Sequence, residues 1–232
     1  MTQAVITVSD VTKSFRARTV LKNVNMDCAA GSISGLVGRN GSGKTVLMKC
    51  ILGLMGYDSG QVIVSGKRIG KDVDFPDSTG FIIEQPGFLS HETALTNLKY
   101  LAAFRRIASL ERVKESIRLV GLDPDSRLKV GKFSMGMKQR LGIAQAIMEE
   151  PDILILDEPM NGLDNAGVAE IRDMLLSLKN AGKTIVLASH NREDVQTLCD
   201  KVYAIDGSGV KSESDGDRAD FWKSIPNTVE KI

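Results

Sequence analysis

Gly38-Arg39-Asn40-Gly41-Ser42-Gly43-Lys44-Thr45 carries glycine, glycine, lysine and threonine at every fixed position of the pattern G-x-x-x-x-G-K-[ST]. The glycines let a backbone curl tightly and approach an anion closely. Successive N–H groups then point inward, and a following helix adds its positive N-terminal end. The pattern therefore predicts a phosphate cradle, with Lys44 reaching the β- and γ-phosphates and the Thr45 hydroxyl on Mg²⁺. Ile33-Ser34-Gly35-Leu36-Val37 before it reads as a buried strand. Val46 to Leu52 after it reads as a helix that Gly53 can end. A glycine-rich turn that binds nothing is the bland alternative, and this strand–loop–helix context argues against it.

A second stretch has the same orientation. Ile153-Leu154-Ile155-Leu156-Asp157-Glu158 is an apolar run ending in two carboxylates. As a central parallel strand it delivers them where open α/β sheets bind ligands. Asp157 is expected to hold Mg²⁺, and Glu158 to polarise an attacking water. Pro159 also suits a plain acidic turn, but the upstream cradle disfavours that reading.

With these two elements in place, the chain resembles the nucleotide-binding subunits of ATP-binding-cassette (ABC) transporters, from about Val5 to Val210. Phe15 matches the aromatic that stacks on adenine in that family. Phe133-Ser134-Met135-Gly136-Met137 stands in place of the Leu-Ser-Gly-Gly-Gln signature, and Lys138-Gln139-Arg140-Leu141 follows. Asn161-Gly162-Leu163-Asp164 matches the D-loop, and His190 matches the switch histidine after the strand Thr184 to Ser189. Read alone, Ser134 is an ordinary N-cap for a helix from Met135 to about Glu150, Asp164 a solvated turn residue and His190 a surface residue. The resemblance implies more: Ser134 and Gly136 face the γ-phosphate held by an opposite subunit, Asp164 makes a cross-dimer contact, and His190 helps order Glu158 and the water.

Several positions depart from the family pattern. Met135 and Met137 replace a glycine and the glutamine of the signature, whereas Gly136 is kept. In Gly80-Phe81-Ile82-Ile83-Glu84-Gln85-Pro86, the usual metal-facing glutamine aligns best with Glu84, and Gln85 falls one place late. If Phe81 to Glu84 is a strand, neighbours point to opposite sides and only one of the pair faces the metal; Glu84 is the residue chosen. Glu84-Gln85-Pro86-Gly87-Phe88 and Ser134-Met135-Gly136-Met137-Lys138-Gln139-Arg140 resemble the bacitracin- and lantibiotic-resistance branch. That implies export or self-protection, with antimicrobial peptides, drugs or lipids as the class of cargo.

The fold class expected is α/β: a P-loop NTPase core whose parallel sheet is flanked by helices, an antiparallel β-subdomain and a helical subdomain. The alternation in Val5 to Val8, with runs near Val20 to Met26 and Gln61 to Ser65, predicts the β-subdomain. Apolar strands ending near Val37, Ile83, Leu156, Ala188 and Ile205 predict the core. Leu95, Leu98, Leu101 and Ala102, then Val113, Ile117 and Val120, recur at helical spacing. A single domain over 1–232 is expected, with the helical subdomain at about 90–135 and a tail at about 211–232. Phe88, Leu89, Tyr100 and Phe104 are taken as exposed, either as a cleft for a membrane subunit or as simple packing.

The 232 residues are 42% apolar and 25% charged with a net charge of +1, an ordinary globular balance that gives no argument for nucleic acid. Cys28, Cys50 and Cys199 are isolated and read as reduced thiols. The N-terminus lacks a signal-peptide layout, and no apolar run approaches about 20 residues. The resemblance therefore implies a permease on a separate chain, a homodimer or paralogous heterodimer of the ATPase, ATP and Mg²⁺ as ligands, and a place at the cytoplasmic face of the membrane. A soluble ABC ATPase of cofactor assembly or repair is the alternative. Single-cassette length argues against a translation member, and the lack of sustained heptads against a repair member. Glu158 and His190 argue against a sensor that does not hydrolyse.

Overall fold

The computed structural model describes residues 4–84, 87–206, 209–212 and 221. The chain begins with two long antiparallel strands, β1 (Ala4–Phe15) and β2 (Arg18–Ala29). Then come β3 (Ile33–Val37), α1 (Lys44–Ile51), β4 (Ser59–Val64), β5 (Lys67–Arg68) and β6 (Thr79–Ile82). Helices α2 (Ala94–Arg105) and α3 (Leu110–Leu119), a 3₁₀ turn at Val130–Lys132 and α4 (Met135–Ile147) form the helical portion. The chain returns through β7 (Ile153–Asp157), α5 (Asn165–Asn180), β8 (Thr184–Ala188), α6 (Arg192–Leu198), β9 (Lys201–Ile205) and β10 (Val210–Ser212).

Two sheets result. One is antiparallel, in the order β2-β1-β4-β5. The other runs β10-β9-β3-β8-β7-β6, parallel except where β10 pairs antiparallel with β9. The parallel strands are covered on both faces, which is why they read as unbroken apolar runs. Alternation sorts their side chains. Leu154, Leu156, Ile185 and Leu187 enter the core shared with α2, α3, α4 and α5. Ile153, Ile155, Val186 and Ala188 enter the core shared with α1 and the antiparallel sheet.

The central register aligns the ends of the strands. Leu36 and Asp157 both pair with Ala188, so β3, β7 and β8 finish level with one another. Each continues into a loop on the same edge of the sheet. The predicted P-loop, acidic pair and histidine are thereby brought together although more than a hundred residues separate the first from the last.

Several expectations need correction. Helix α1 starts at Lys44, two residues earlier than the apolar pattern indicates, because Gly43 at φ 114° delivers the chain directly into the first turn. Gly53 does end it, at φ 73°; a Cβ there would lie 1.8 Å from the Asp74 carbonyl oxygen, so only glycine fits. Helix α4 stops at Ile147 rather than near Glu150, where Glu150 turns left-handed at φ 54° before Pro151. The run Phe81 to Glu84 is not all strand. Strand β6 ends at Ile82, and Glu84 sits beyond it at φ 61°, so strand alternation does not decide which way Glu84 faces. Gln85 lies outside the described residues.

Phe88 is half-buried against the helical core rather than exposed, whereas Leu89, Tyr100 and Phe104 are exposed as expected. Of the tail, Lys211 and Ser212 belong to β10, and Phe221 is buried against Val37, Val195 and Val202. The rest, Trp222 included, lies outside the described residues.

Candidate functional site: a phosphate-binding cleft

The loop between β3 and α1 holds its shape by glycine geometry. Gly38 has φ 151°, and a Cβ there would fall 2.2 Å from the Ile205 carbonyl oxygen. The loop closes through Ser42 N–H donating to the Arg39 carbonyl at 3.1 Å. Lys44 is nearly buried, and its Nζ donates to the carbonyls of Gly38 at 2.8 Å and Arg39 at 3.3 Å. Burial pulls the Lys44 pKa down, against the opposing pull of Glu158 and Asp157. Ser42 Oγ is buried without a hydrogen-bond partner, although such groups are nearly always paired.

Around this loop opens a cleft of about 580 Å³, walled by Asn40, Gly41 and Gly43 to Val46 on one side and by Glu84, Asp157 and Glu158 on another. Met135, Gln139 and Asn161 reach its rim, as do Arg18 and Val20 from β2. Thr45 Oγ1 donates to Asp157 Oδ2 at 2.7 Å, joining α1 to the end of β7. Glu158 follows in a left-handed conformation, φ 50°, with its N–H on the Ala188 carbonyl at 2.9 Å. That turn aims its carboxylate at the loop after β8. His190 Nδ1 lies 2.7 Å from Glu158 Oε2, and the His190 N–H donates to the same oxygen at 3.3 Å. Burial raises the Glu158 pKa, and His190 and Lys44 pull it back.

The remaining sequence-predicted residues divide. Glu84 lines the cleft, but its Oε1 is held 2.6 Å from Lys49 Nζ. Ser134 caps α4, accepting from Met137 N at 3.2 Å, and Asp164 caps α5, accepting from Gly167 N at 2.9 Å. Neither lines the cleft of its own chain. Gly136 sits close to the D-loop: a Cβ on it would lie 2.9 Å from the Gly162 carbonyl oxygen. The substituted Met135 lays its side chain over Gly162 and is more than half exposed. Phe15, at the end of β1, is 44% exposed with Lys13 Nζ 5.5 Å from its ring centroid, and it does not line the cleft.

Sequence reading assigned nothing to Gln139, whose Nε2 donates to the Glu158 carbonyl at 3.1 Å. Its place in the run after the signature was the available signal. Lys49 was also missed, being one turn past Thr45 on the same face of α1.

A cradle of this form at the aligned ends of parallel strands is that of a P-loop nucleoside triphosphatase. Residues 21–161 match the family model described as ABC transporter. An uncharacterised ABC transporter ATP-binding protein of Bacillus subtilis, YybJ, is 47% identical over 84% of this chain and 89% of its own length. The bacitracin transport ATP-binding protein BcrA of Enterococcus faecalis is 41% identical over 85% of this chain and 65% of its own length. The lantibiotic transport ATP-binding protein SrtF of Streptococcus pyogenes is 35% identical over 95% of both chains. Among solved structures, an ATP-binding subunit of an ABC transporter superimposes with a TM-score of 0.82, at 25% identity over 95% of both chains. The chain therefore belongs to the ABC transporter family, as an ATP-binding subunit that hydrolyses ATP. The resemblance to the bacitracin and lantibiotic branch is borne out by these relatives. Among the described residues no helix is long and apolar enough to cross a membrane.

Proposed function

We propose that this chain, as a single cassette domain, pairs head to tail with a second copy of itself and drives a separate membrane permease that removes an antimicrobial peptide or a related amphiphile. The observation that carries the ATPase part of this reading is the convergence of Lys44, Thr45, Asp157 and Glu158 on one cleft, with His190 bonded to Glu158; the relatives named for bacitracin and lantibiotic transport support the permease and its cargo. The unpartnered Ser42 hydroxyl and the N–H groups at the start of α1 suit the phosphates of ATP. The Thr45 hydroxyl and Asp157 carboxylate are hard oxygen donors, 2.7 Å apart, of the kind that binds Mg²⁺ with few protein ligands and substrate phosphates. Glu84 would join them, and the ion would neutralise charge developing on the β- and γ-phosphate oxygens.

In this scheme Lys44 exchanges the Gly38 and Arg39 carbonyls for phosphate oxygens. Glu158, held by His190, accepts hydrogen-bonding from the attacking water and orients it in line with the γ-phosphate. Phe15 stacks on the base from the end of β1. Ser134 and Gly136 of the opposite copy close over the γ-phosphate, and Asp164 meets the facing loop. ATP contacts across the pair vanish once phosphate leaves, so the closed form is favoured only before hydrolysis. That difference moves the helical portion, whose exposed Leu89, Tyr100 and Phe104 suit an apolar segment of the permease. The working position is then the cytoplasmic face of the membrane.

The testing experiment is detergent purification of this chain from its own cells, with an ATPase assay of the eluate. A co-purifying multi-span protein that stimulates turnover is the expected result. Active ATPase with soluble companions only would overturn the permease reading in favour of an assembly or repair role.

A further inference from the structure

Behind His190 lies an ion pair that the cleft itself does not include. Asp194, in the first turn of α6, is 2% exposed. Its Oδ1 accepts from Arg172 Nε at 2.9 Å and from Arg172 Nη2, a fork-like contact reaching across from α5. Its Oδ2 accepts from Ser189 Oγ at 3.3 Å, and Ser189 Oγ in turn accepts from the Asn191 N–H at 3.1 Å. Arg172 Nη1 also reaches Glu193 at 3.1 Å, on the outer side of the same turn. Asn191 caps α6 by accepting from the Glu193 N–H at 2.9 Å.

The residues fixed by this network are the two neighbours of His190 in sequence. Ser189 is buried, and its hydroxyl ties both the carboxylate and the next-but-one amide. His190 itself is 45% exposed at the side chain. Its contact with Glu158 uses both the ring and the backbone N–H, and the Ser189 hydroxyl links the backbone after it, at Asn191, to Asp194. A buried ion pair is weak evidence for stability, because desolvation offsets much of the attraction. The two guanidinium N–H groups that converge on Oδ1, with Oδ2 left to Ser189, instead give directional constraint. Arg172 sits on the helix that Asp164 caps, so the network also connects the D-loop helix to the histidine.

We propose that Asp194, held by Arg172, is a positioning residue for ATP hydrolysis: through Ser189 it sets the His190 loop and so the His190–Glu158 contact. This rests on the reading of Glu158 and His190 given above. The network acts on orientation and touches no reacting atom. Its loss lets His190 drift from Glu158 while the P-loop and its nucleotide contacts stay intact.

The test compares Asp194→Ala, Arg172→Met, Arg172→Lys, Ser189→Ala and His190→Ala in the full chain, by steady-state ATPase kinetics and by the affinity and stoichiometry of nucleotide binding. Expected for Asp194→Ala and Arg172→Met is a fall in kcat of roughly 10- to 100-fold with KM changed less than about threefold. Arg172→Lys, which keeps charge but loses the fork, recovers part of the rate. A purely structural role would lower the stoichiometry of nucleotide binding in step with kcat, whereas a positioning role leaves that stoichiometry intact while kcat falls. If Asp194→Ala does not fold, Ser189→Ala and Arg172→Lys probe the same path with milder changes and carry the decision. Unchanged kcat in these variants, with His190→Ala inactive, would overturn the proposal and leave the hydrolytic reading standing. Full turnover in His190→Ala would instead overturn the reading on which it rests.

Discussion

The cleft and the helix starts outside it are built differently. On the sheet side, functional groups hold each other: Thr45 bonds Asp157, His190 bonds Glu158, and Lys44 bonds its own loop. Outside the cleft, on the helical side, Ser134 and Asp164 cap the helices they begin, and Glu84, on the cleft wall, is turned to Lys49. The sheet side is a finished structure that shows its chemistry within one chain. The residues outside it have local structure but no convergence within one chain.

The comparison can be tested from its strong end to its weak end. Lys44→Ala removes the cation from the finished side. Turnover should drop by about 10²- to 10³-fold and ATP binding to the isolated chain should weaken, read by titration with a fluorescent ATP analogue. If binding persists unchanged, Lys44 is not a phosphate ligand and the contrast is broken. Ser134→Ala acts on the other side. It should cost about 1 kcal/mol from the lost cap, lowering Tm by roughly 2–4 °C. ATP binding to the monomer should be unaltered while turnover falls about tenfold or more; equal loss of monomer binding would mean that Ser134 acts in its own cleft.

Glu84→Gln should give the smallest effect. The Lys49 pair is exposed, so stability should change by less than about 1 kcal/mol. The Mg²⁺ concentration for half-maximal ATPase should shift by several-fold if Glu84 faces the metal. No shift would leave Glu84 as a surface partner of Lys49.

The finished side was legible because each of its parts is a local pattern, although the pairs they form are 112 and 32 residues apart. Gly38 to Thr45 fixes a loop by its own backbone geometry, and Ile153 to Glu158 announces both its burial and its acidic end. Both faces of β7 and β8 are covered, so their apolar runs admitted no other placement. What was not legible depended on pairs distant in sequence. Lys49 and Glu84 are 35 residues apart, Arg172 and Asp194 are 22 apart, and no periodicity links them. Strands β1 and β2 each run 12 residues, longer than their alternation suggests, because register shifts interrupt the pattern. Asp10 and Asn23, at φ 51° and 46°, sit at those irregularities and are steadied by Asn25 and Thr12. The end of β6 was misjudged because Ile83 prolongs the apolar run past the last sheet pairing at Ile82.

The central claim is that ATP joins two copies of this chain, each supplying the half of the site that the other lacks. Light scattering of Glu158→Gln, with and without saturating Mg·ATP, addresses it most directly. Slowed hydrolysis should hold the closed form, so the account predicts that ATP raises the mass from 25.1 kDa to twice that value and that ADP does not. A variant that binds ATP tightly and stays monomeric would contradict it.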